Sequence, residues 1–465
     1  MKNSIFVRLI ALLLCLLLAA GCRSNPPSAE GEESTAESIA ETEQKTPRNT
    51  TGEGWALTLY ADSGRLYQIN EAALGFRALY PEASVEVTDL SKLSYNDFKA
   101  RLAADLAAGD GPNVLYTGYS FVPNLCRLLY NGVFADMNAL NDQYDLIRWE
   151  DQNQNICDFG VLGGERYFVP LTYGVGLMFS TKEKMEAAGI DYKDTDLETF
   201  FDQIRVYQKN QPDSIVLYEM PTHVDMFVRY DMFEENGQKQ LFDLWNATYP
   251  DLYGNADAMK HYSIRYSLKN YDTTYDAFAS GALLSIGSTV RTLTRFECLP
   301  YHAKNYSNAV ENGETPVFMA YPSYKGEAPR AVIGDIAAIP SASQDKEAAL
   351  AFVAYMLSLD VQIKLLQASG IPVSNAYMDY VLDYYRKEGV ERGSAYYLAK
   401  FVEYAPEWLD WYENLTDNIE PMGLRDENMI SIWSKALVPY LSGQSEDYAA
   451  CFREAKKNLM LYENE

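Results

Sequence analysis

Two short runs carry side chains suited to holding a polar solute: Asp62-Ser63-Gly64-Arg65 and Gly118-Tyr119-Ser120-Phe121. Carboxylate and guanidinium groups bond hydroxyls two at a time, serine adds a donor and an acceptor, and an aromatic ring gives a flat face for C–H groups. A third run, Met220-Pro221-Thr222-His223-Val224-Asp225, offers His223 on a loop, and Tyr173 sits inside a long apolar stretch. Each has a plain structural alternative. Asp62 or Ser63 would serve equally as a helix cap, Tyr119 as a surface turn, Tyr173 as core, and His223 as a structural histidine. The chain holds 36 tyrosines and six tryptophans but only three histidines, an inventory that favours ring-based binding over metal ligation or proton transfer.

Catalytic patterns are thin. Gly118-Tyr119-Ser120-Phe121-Val122 begins like a nucleophile elbow but lacks its second glycine, and Gly281 to Gly287 has no following lysine to complete a phosphate loop. No His-Glu-x-x-His occurs, and acidic pairs are too common here to single out a glycosidase pair. No catalytic residue, metal ligand or cofactor is assigned. With 65 acidic against 39 basic residues the formal charge is −26, which argues against a nucleic-acid partner.

The elements around these runs alternate. Trp55 to Tyr60 reads as a strand, and after the first run Leu66, Ile69, Ala73, Phe76 and Tyr80 fall on one helical face. Val85 to Leu90 is a second strand; Ser94 caps a helix closed by Gly109, and Asn113 to Thr117 is a third strand. This β-α-β-α-β series predicts a parallel sheet with right-handed crossovers, in which ligands lie beyond the carboxyl ends of strands. Both runs follow strands there. Later strands are expected at 167–180, 215–219, 282–287 and 331–339, then mostly helices, from Lys346 to Leu357 and last a stripe of Tyr448, Phe452, Ala455, Leu459 and Tyr462. Trp408 and Trp411 share a helical stripe with Tyr412 and read as core.

The N-terminus is an address. A cationic start with Lys2 and Arg8, twelve uncharged residues from Leu9 to Ala20, then Gly21-Cys22 form an export signal over 1–21. Twelve helical residues reach only about 18 Å, too short to span a bilayer. Leu18-Ala19-Ala20-Gly21-Cys22 resembles the lipobox of bacterial lipoproteins, which implies a diacylated Cys22. Residues 22–54 then form the lipidated cysteine and a flexible acidic tether without an aromatic ring. Loss of Lys2 and Arg8 with the signal takes the charge from −26 to −28, so the body is expected to stand off anionic lipid. Cys126, Cys157, Cys298 and Cys451 remain; three pairings are possible and none is assigned.

Four stretches in order resemble the family 1 bacterial extracellular solute-binding proteins, the group that includes maltose-binding protein. They are Ala107 to Val114 with Asn113 for the usual aspartate, Pro170 to Lys182 with Ala188-Gly189-Ile190, Ala277 to Gly287, and Ala348 to Ser358 with Gly370-Ile371-Pro372-Val373. The resemblance implies a type II periplasmic-binding-protein-like α/β fold: two α/β lobes joined by three crossing hinge segments near 171–175, 283–289 and 331–336. It implies an N-terminal lobe of 55–172 with 285–332 and a C-terminal lobe of 173–284 with 333–465. By position it matches Asp62, Ser63 and Arg65 to a ligand-contacting loop and Ser288 and Thr289 to ligand-side positions; with Tyr119 and Ser120 after the third strand, Tyr173 on the first crossing segment and His223 on its loop, these are the candidate ligand-binding residues. Ser288 and Thr289 stand where the maltose-binding branch carries Pro-Trp, so that stacking ring is absent.

The expected protein is a monomer, held by lipid to the outer face of the cytoplasmic membrane. It captures a carbohydrate and delivers it to the permease subunits of an ABC importer, without enzyme activity. The alternatives are a peptide, polyamine, polyol or phosphate ester as cargo, a surface glycan-active enzyme, or a ligandless sensor or adhesion protein.

Overall fold

The computed structural model describes residues 51–192, 196–211, 215–218, 278–280, 283–290, 308–322, 328–366, 369–388, 407–421, 424, 427–441 and 444–464. The signal, most of the tether, His223 and Cys298 lie outside them.

The opening series forms as its sequence dictates. Strand β1 (Ala56–Ala61) leads to helix α1 (Leu66–Leu79), which turns Ile69, Ala72, Ala73 and Phe76 inward; β2 (Ser84–Asp89) pairs parallel with β1. Helix α2 (Tyr95–Ala108) starts at Ser94, whose side chain accepts from the Asp97 amide, and ends at Gly109 with φ +75°, a left-handed turn that suits glycine. Strand β3 (Leu115–Gly118) is buried along its length and is joined in parallel to β1 through the Leu59–Val114 bridge.

A short hairpin, β4 (Val161–Leu162) and β5 (Glu165–Arg166), precedes β6 (Phe168–Pro170) and the ten-residue β7 (Thr172–Thr181), buried throughout. Such unbroken burial explains why this stretch reads as continuous apolar sequence rather than alternation. Beyond it come β8 (Ile215–Tyr218), β9 (Leu283–Val290), β10 (Pro316–Ala320), β11 (Arg330–Ile333), β12 (Asp335–Ala338), β13 (Ile371–Pro372) and β14 (Glu420–Pro421).

Two sheets result. In the first, β12 lies antiparallel between β3 and β6, and the Leu59–Val114 bridge extends the order to β2-β1-β3-β12-β6. In the second, the order is β14-β11-β7-β9-β8, with β10 and β13 also paired to β7. The chain passes from the first sheet to the second between β6 and β7, at Leu171, returns between β11 and β12, at Gly334, and enters the second sheet again between β12 and β13. These ladders divide the chain differently from the expected lobe boundaries. β9 and β10 belong with β7, whereas residues 285–332 were expected in the N-terminal lobe; β12 belongs with β3, whereas 333–465 were expected in the C-terminal one. Leu283–Val290, expected to cross, pairs along its length within the second sheet.

The core runs through the first sheet, β7 and helix Lys346–Met356, where Ala348 to Val353 are all buried. A second cluster holds Tyr448, Cys451, Phe452, Ala455 and Leu459 of the last helix together with Cys126, so the expected stripe does pack inward. Cys157 is a buried free thiol, and no helix among the described residues is long and apolar enough to cross a membrane.

Candidate functional site

The turn after β1 and the turn after β3 stand side by side because their strands are parallel neighbours. In the first turn the Asp62 carboxylate is fully buried. Its Oδ1 accepts from the Gly64 amide at 2.8 Å and its Oδ2 from the Thr117 hydroxyl at 2.8 Å, so β3 helps to fix it. Ser63 and Gly64 are exposed at the tip.

Arg65 does not reach outward as an unengaged cation. Its Nη1 donates to Asp62 at 3.2 Å, its Nε donates to Asp335 Oδ1 at 2.7 Å, and Nη2 stands 2.5 Å from that oxygen. Asp335 opens β12 and is 1% exposed; its other oxygen accepts from the Tyr116 hydroxyl at 3.3 Å. Burial alone would lower the Arg65 pKa, but the Asp335 and then the Asp62 carboxylates outweigh it and hold the guanidinium charged. Burial, followed by Asp335, pushes the Tyr116 phenol well above its usual value, so it remains a donor.

The second turn supplies rings. Tyr119 is only 6% exposed and packs on Phe159, with centroids 5.4 Å apart. Its neighbour Phe121 is half-buried, lies under the Arg65 guanidinium at 5.3 Å, and meets Tyr95 edge-on at 4.8 Å. The Tyr95 hydroxyl donates to the Ser120 carbonyl at 2.5 Å, and Ser120 itself is exposed. The accessible groups along this edge are therefore the Ser63 and Ser120 side chains, the Gly64 backbone, and the half-buried rings of Phe121 and Tyr95.

The structure thus brings together Asp62, Ser63, Arg65, Tyr119 and Ser120, but Asp62 is bonded to Arg65, Arg65 in turn to Asp335, and Tyr119 is packed inside. Tyr173, at 2% exposure, lies in the core beside Tyr377 and Tyr412; burial, then the Asp417 charge, raises its pKa. Ser288 and Thr289 lie in β9 opposite Leu177 and Gly176 of β7, away from the paired turns in sheet order. His223 lies outside the described residues. Phe121, Tyr95 and Asp335 were not singled out from sequence. Asp335 did carry a signal, as one charge inside the apolar run 331–339; Phe121 lay in a quoted run whose register with solvent only the 3-10 turn Tyr119–Phe121 decides.

Among the described residues no group of acidic, histidine or cysteine side chains is arranged to hold a metal ion.

The strand order, the crossings between the two sheets and the paired turns at strand ends define a type II solute-binding fold, α/β and of the maltose-binding-protein type. Residues 76–379 match the family described as bacterial extracellular solute-binding protein, and the chain belongs to that family. Similar solved structures share the fold at low identity. The sugar-binding protein MalE from Xanthomonas citri is 14% identical with a TM-score of 0.58, covering 88% of this chain and 100% of its own. A family 1 extracellular solute-binding protein from Alicyclobacillus acidocaldarius is 12% identical with a TM-score of 0.53, covering 88% and 98%. An ABC substrate-binding protein of Listeria monocytogenes, in complex with cycloalternan, is 13% identical with a TM-score of 0.51, covering 87% and 97%. No curated protein is similar enough in sequence to match the chain.

Proposed function

We propose that this protein is the lipid-anchored receptor of an ABC importer, capturing a carbohydrate and presenting it to the permease by hinge closure between two lobes. The observation that carries the cargo class is the described edge of the site. Arg65 is neutralised by two carboxylates, leaving one surplus negative charge beneath a rim of serine hydroxyls, backbone and half-buried rings. That rim suits a neutral polyhydroxylated solute, whose hydroxyls need partners and whose C–H faces stack on rings. It disfavours an anion. In this reading Ser63, Ser120, Phe121 and Tyr95 meet the ligand from the first sheet, and Asp62 and Arg65 shape the turn behind them. Ser288, Thr289 and His223 are kept as candidates for the other wall, Tyr173 as support for the crossing. The protein acts as a monomer without enzyme activity.

The export signal and Cys22 support anchoring at the outer face of the cytoplasmic membrane. Labelling with a fatty acid in the native host, lost in Cys22→Ala, checks it. For the cargo, a thermal-shift screen of the chain from residue 23 pits mono- and oligosaccharides against peptides, polyamines and sugar phosphates. A ligand at a hundred times its dissociation constant adds about 2.7 kcal/mol. A hit confined to the second group keeps the receptor and replaces the cargo; turnover of a glycan would replace the receptor with an enzyme.

A further inference from the structure

We propose that Arg65 is a positioning residue that locks the two ligand-side turns to the return crossing at Gly334, so that turns and crossing move as one body. Its partners come from four parts of the chain. Asp62 belongs to the turn after β1, Phe121 to the turn after β3, Gly118 to the end of β3 itself, and Asp335 to the first residue past the crossing. The approach to β3 is so close that a Cβ on Gly118 would stand 2.3 Å from Arg65 Nη2.

Asp335 in turn is built into the crossing. Its amide donates to Thr172 Oγ1 at 2.9 Å, its carbonyl accepts from the Leu171 amide at 2.8 Å, and the Gly334 amide donates to the Thr172 carbonyl at 2.9 Å. The Tyr119 amide donates to the Gly334 carbonyl at 2.8 Å, closing the circuit back to the second turn. A simple helix-start role for Arg65 needs only Asp62, three residues away. The bonds to Asp335, 270 residues distant, belong to a tie between turn and crossing. Planar, five-donor guanidinium is suited to bridging two carboxylates, which a lysine ammonium cannot do in the same geometry.

The inference is independent of which solute binds, so its test needs none. Amide hydrogen exchange is followed on the full-length chain and on Arg65→Met, Arg65→Lys and Asp335→Asn. In Arg65→Met, exchange at the Tyr119 and Asp335 amides rises together by about tenfold or more, while helix Lys346–Met356 keeps its protection. Arg65→Lys falls between wild type and Arg65→Met, and Asp335→Asn, which keeps shape and one acceptor, repeats the paired rise at smaller amplitude. A rise confined to residues 62–68, an equal rise across the whole chain, or no rise at all overturns the proposal. Should Arg65→Met not fold, Asp335→Asn decides by the same criterion.

Discussion

Thr172 sits where three segments meet, and a substitution at its neighbour can be worked out in advance. A Cβ at Gly334 would stand 2.6 Å from Thr172 Oγ1, with the Thr172 carbonyl oxygen next at 3.2 Å. Gly334 needs no left-handed backbone, so Gly334→Ala acts through crowding alone, and overpacking of this kind costs about 1–3 kcal/mol. Thr172→Ala removes Oγ1 and leaves the buried Asp335 amide without its acceptor, a loss of about 1–3 kcal/mol. In the double variant the two losses do not add. With Oγ1 gone, the new Cβ faces only the carbonyl at 3.2 Å, and a coupling of about 1–2 kcal/mol should be recovered. Gly370 supplies the contrast. Its added Cβ meets Thr172 Cβ at 2.6 Å, Thr172 Oγ1 at 2.8 Å and the Tyr173 carbonyl oxygen at 3.0 Å, and Thr172→Ala relieves only the second of these, leaving the tightest contact in place. Gly370→Ala combined with Thr172→Ala should therefore recover clearly less of the loss than the Gly334 pair does. Denaturant midpoints of the five variants measure both cycles. Additivity at Gly334, or equal rescue at Gly370, would refute the packing argument.

Three further outcomes follow from the burial of particular side chains. Burial raises the pKa of Tyr116, Tyr173 and Tyr412, so these phenols stay protonated in the folded state past the unfolded value near 10. The stability they contribute is intact below about pH 10 and lost as pH climbs above it, so phenolate absorbance should appear partly in step with alkaline unfolding rather than as one smooth titration. Burial pushes the Cys157 thiol up to about 12, and in native protein at pH 8 it should resist a thiol reagent that labels it readily after denaturation. Phe121→Ala should weaken whichever ligand the screen finds by about fivefold to tenfold, as expected for one lost stacking face, with little change in the unfolding midpoint because the ring is only half-buried; unchanged affinity in a calorimetric titration would remove Phe121 from the binding edge.

Local signals were reliable where local physics decides. Ser94 and Gly109 bracket α2 because a hydroxyl satisfies an early amide and glycine takes the left-handed turn; Thr181 and Gly189 do the same for helix Lys182–Ala188. The strand at 331–339 was visible but its break was not. Gly334 divides it between two sheets, and only the partners Val175 to Tyr173 on one side and Thr117 on the other reveal that. For the same reason the assignment of 283–290 to a crossing differed from its pairing: strand membership depends on ladders between residues more than a hundred positions apart. The two turns of the candidate site were legible as locations, since both were expected at strand ends and lie there. The role of each side chain was not, because a serine facing solvent and an arginine bonded to a distant aspartate look alike in a run of four letters.

That distinction changes what the turn contributes to recognition. A lone arginine at a strand end suggests a cation waiting for an anionic or hydroxyl-rich ligand. Here the guanidinium is 15% exposed and flanked by two almost fully buried carboxylates, so its charge is already answered inside the protein. Separating the three would strand buried charge, the costly outcome, whereas leaving them together keeps each oxygen supplied by Gly64, Thr117, Tyr116 or Arg65 itself. A ligand therefore cannot recruit Arg65 without replacing several bonds at once. On the proposed reading, affinity on this side of the site comes from groups with capacity to spare, the serines and ring faces at the rim, while the charged triad beneath them fixes where those groups stand.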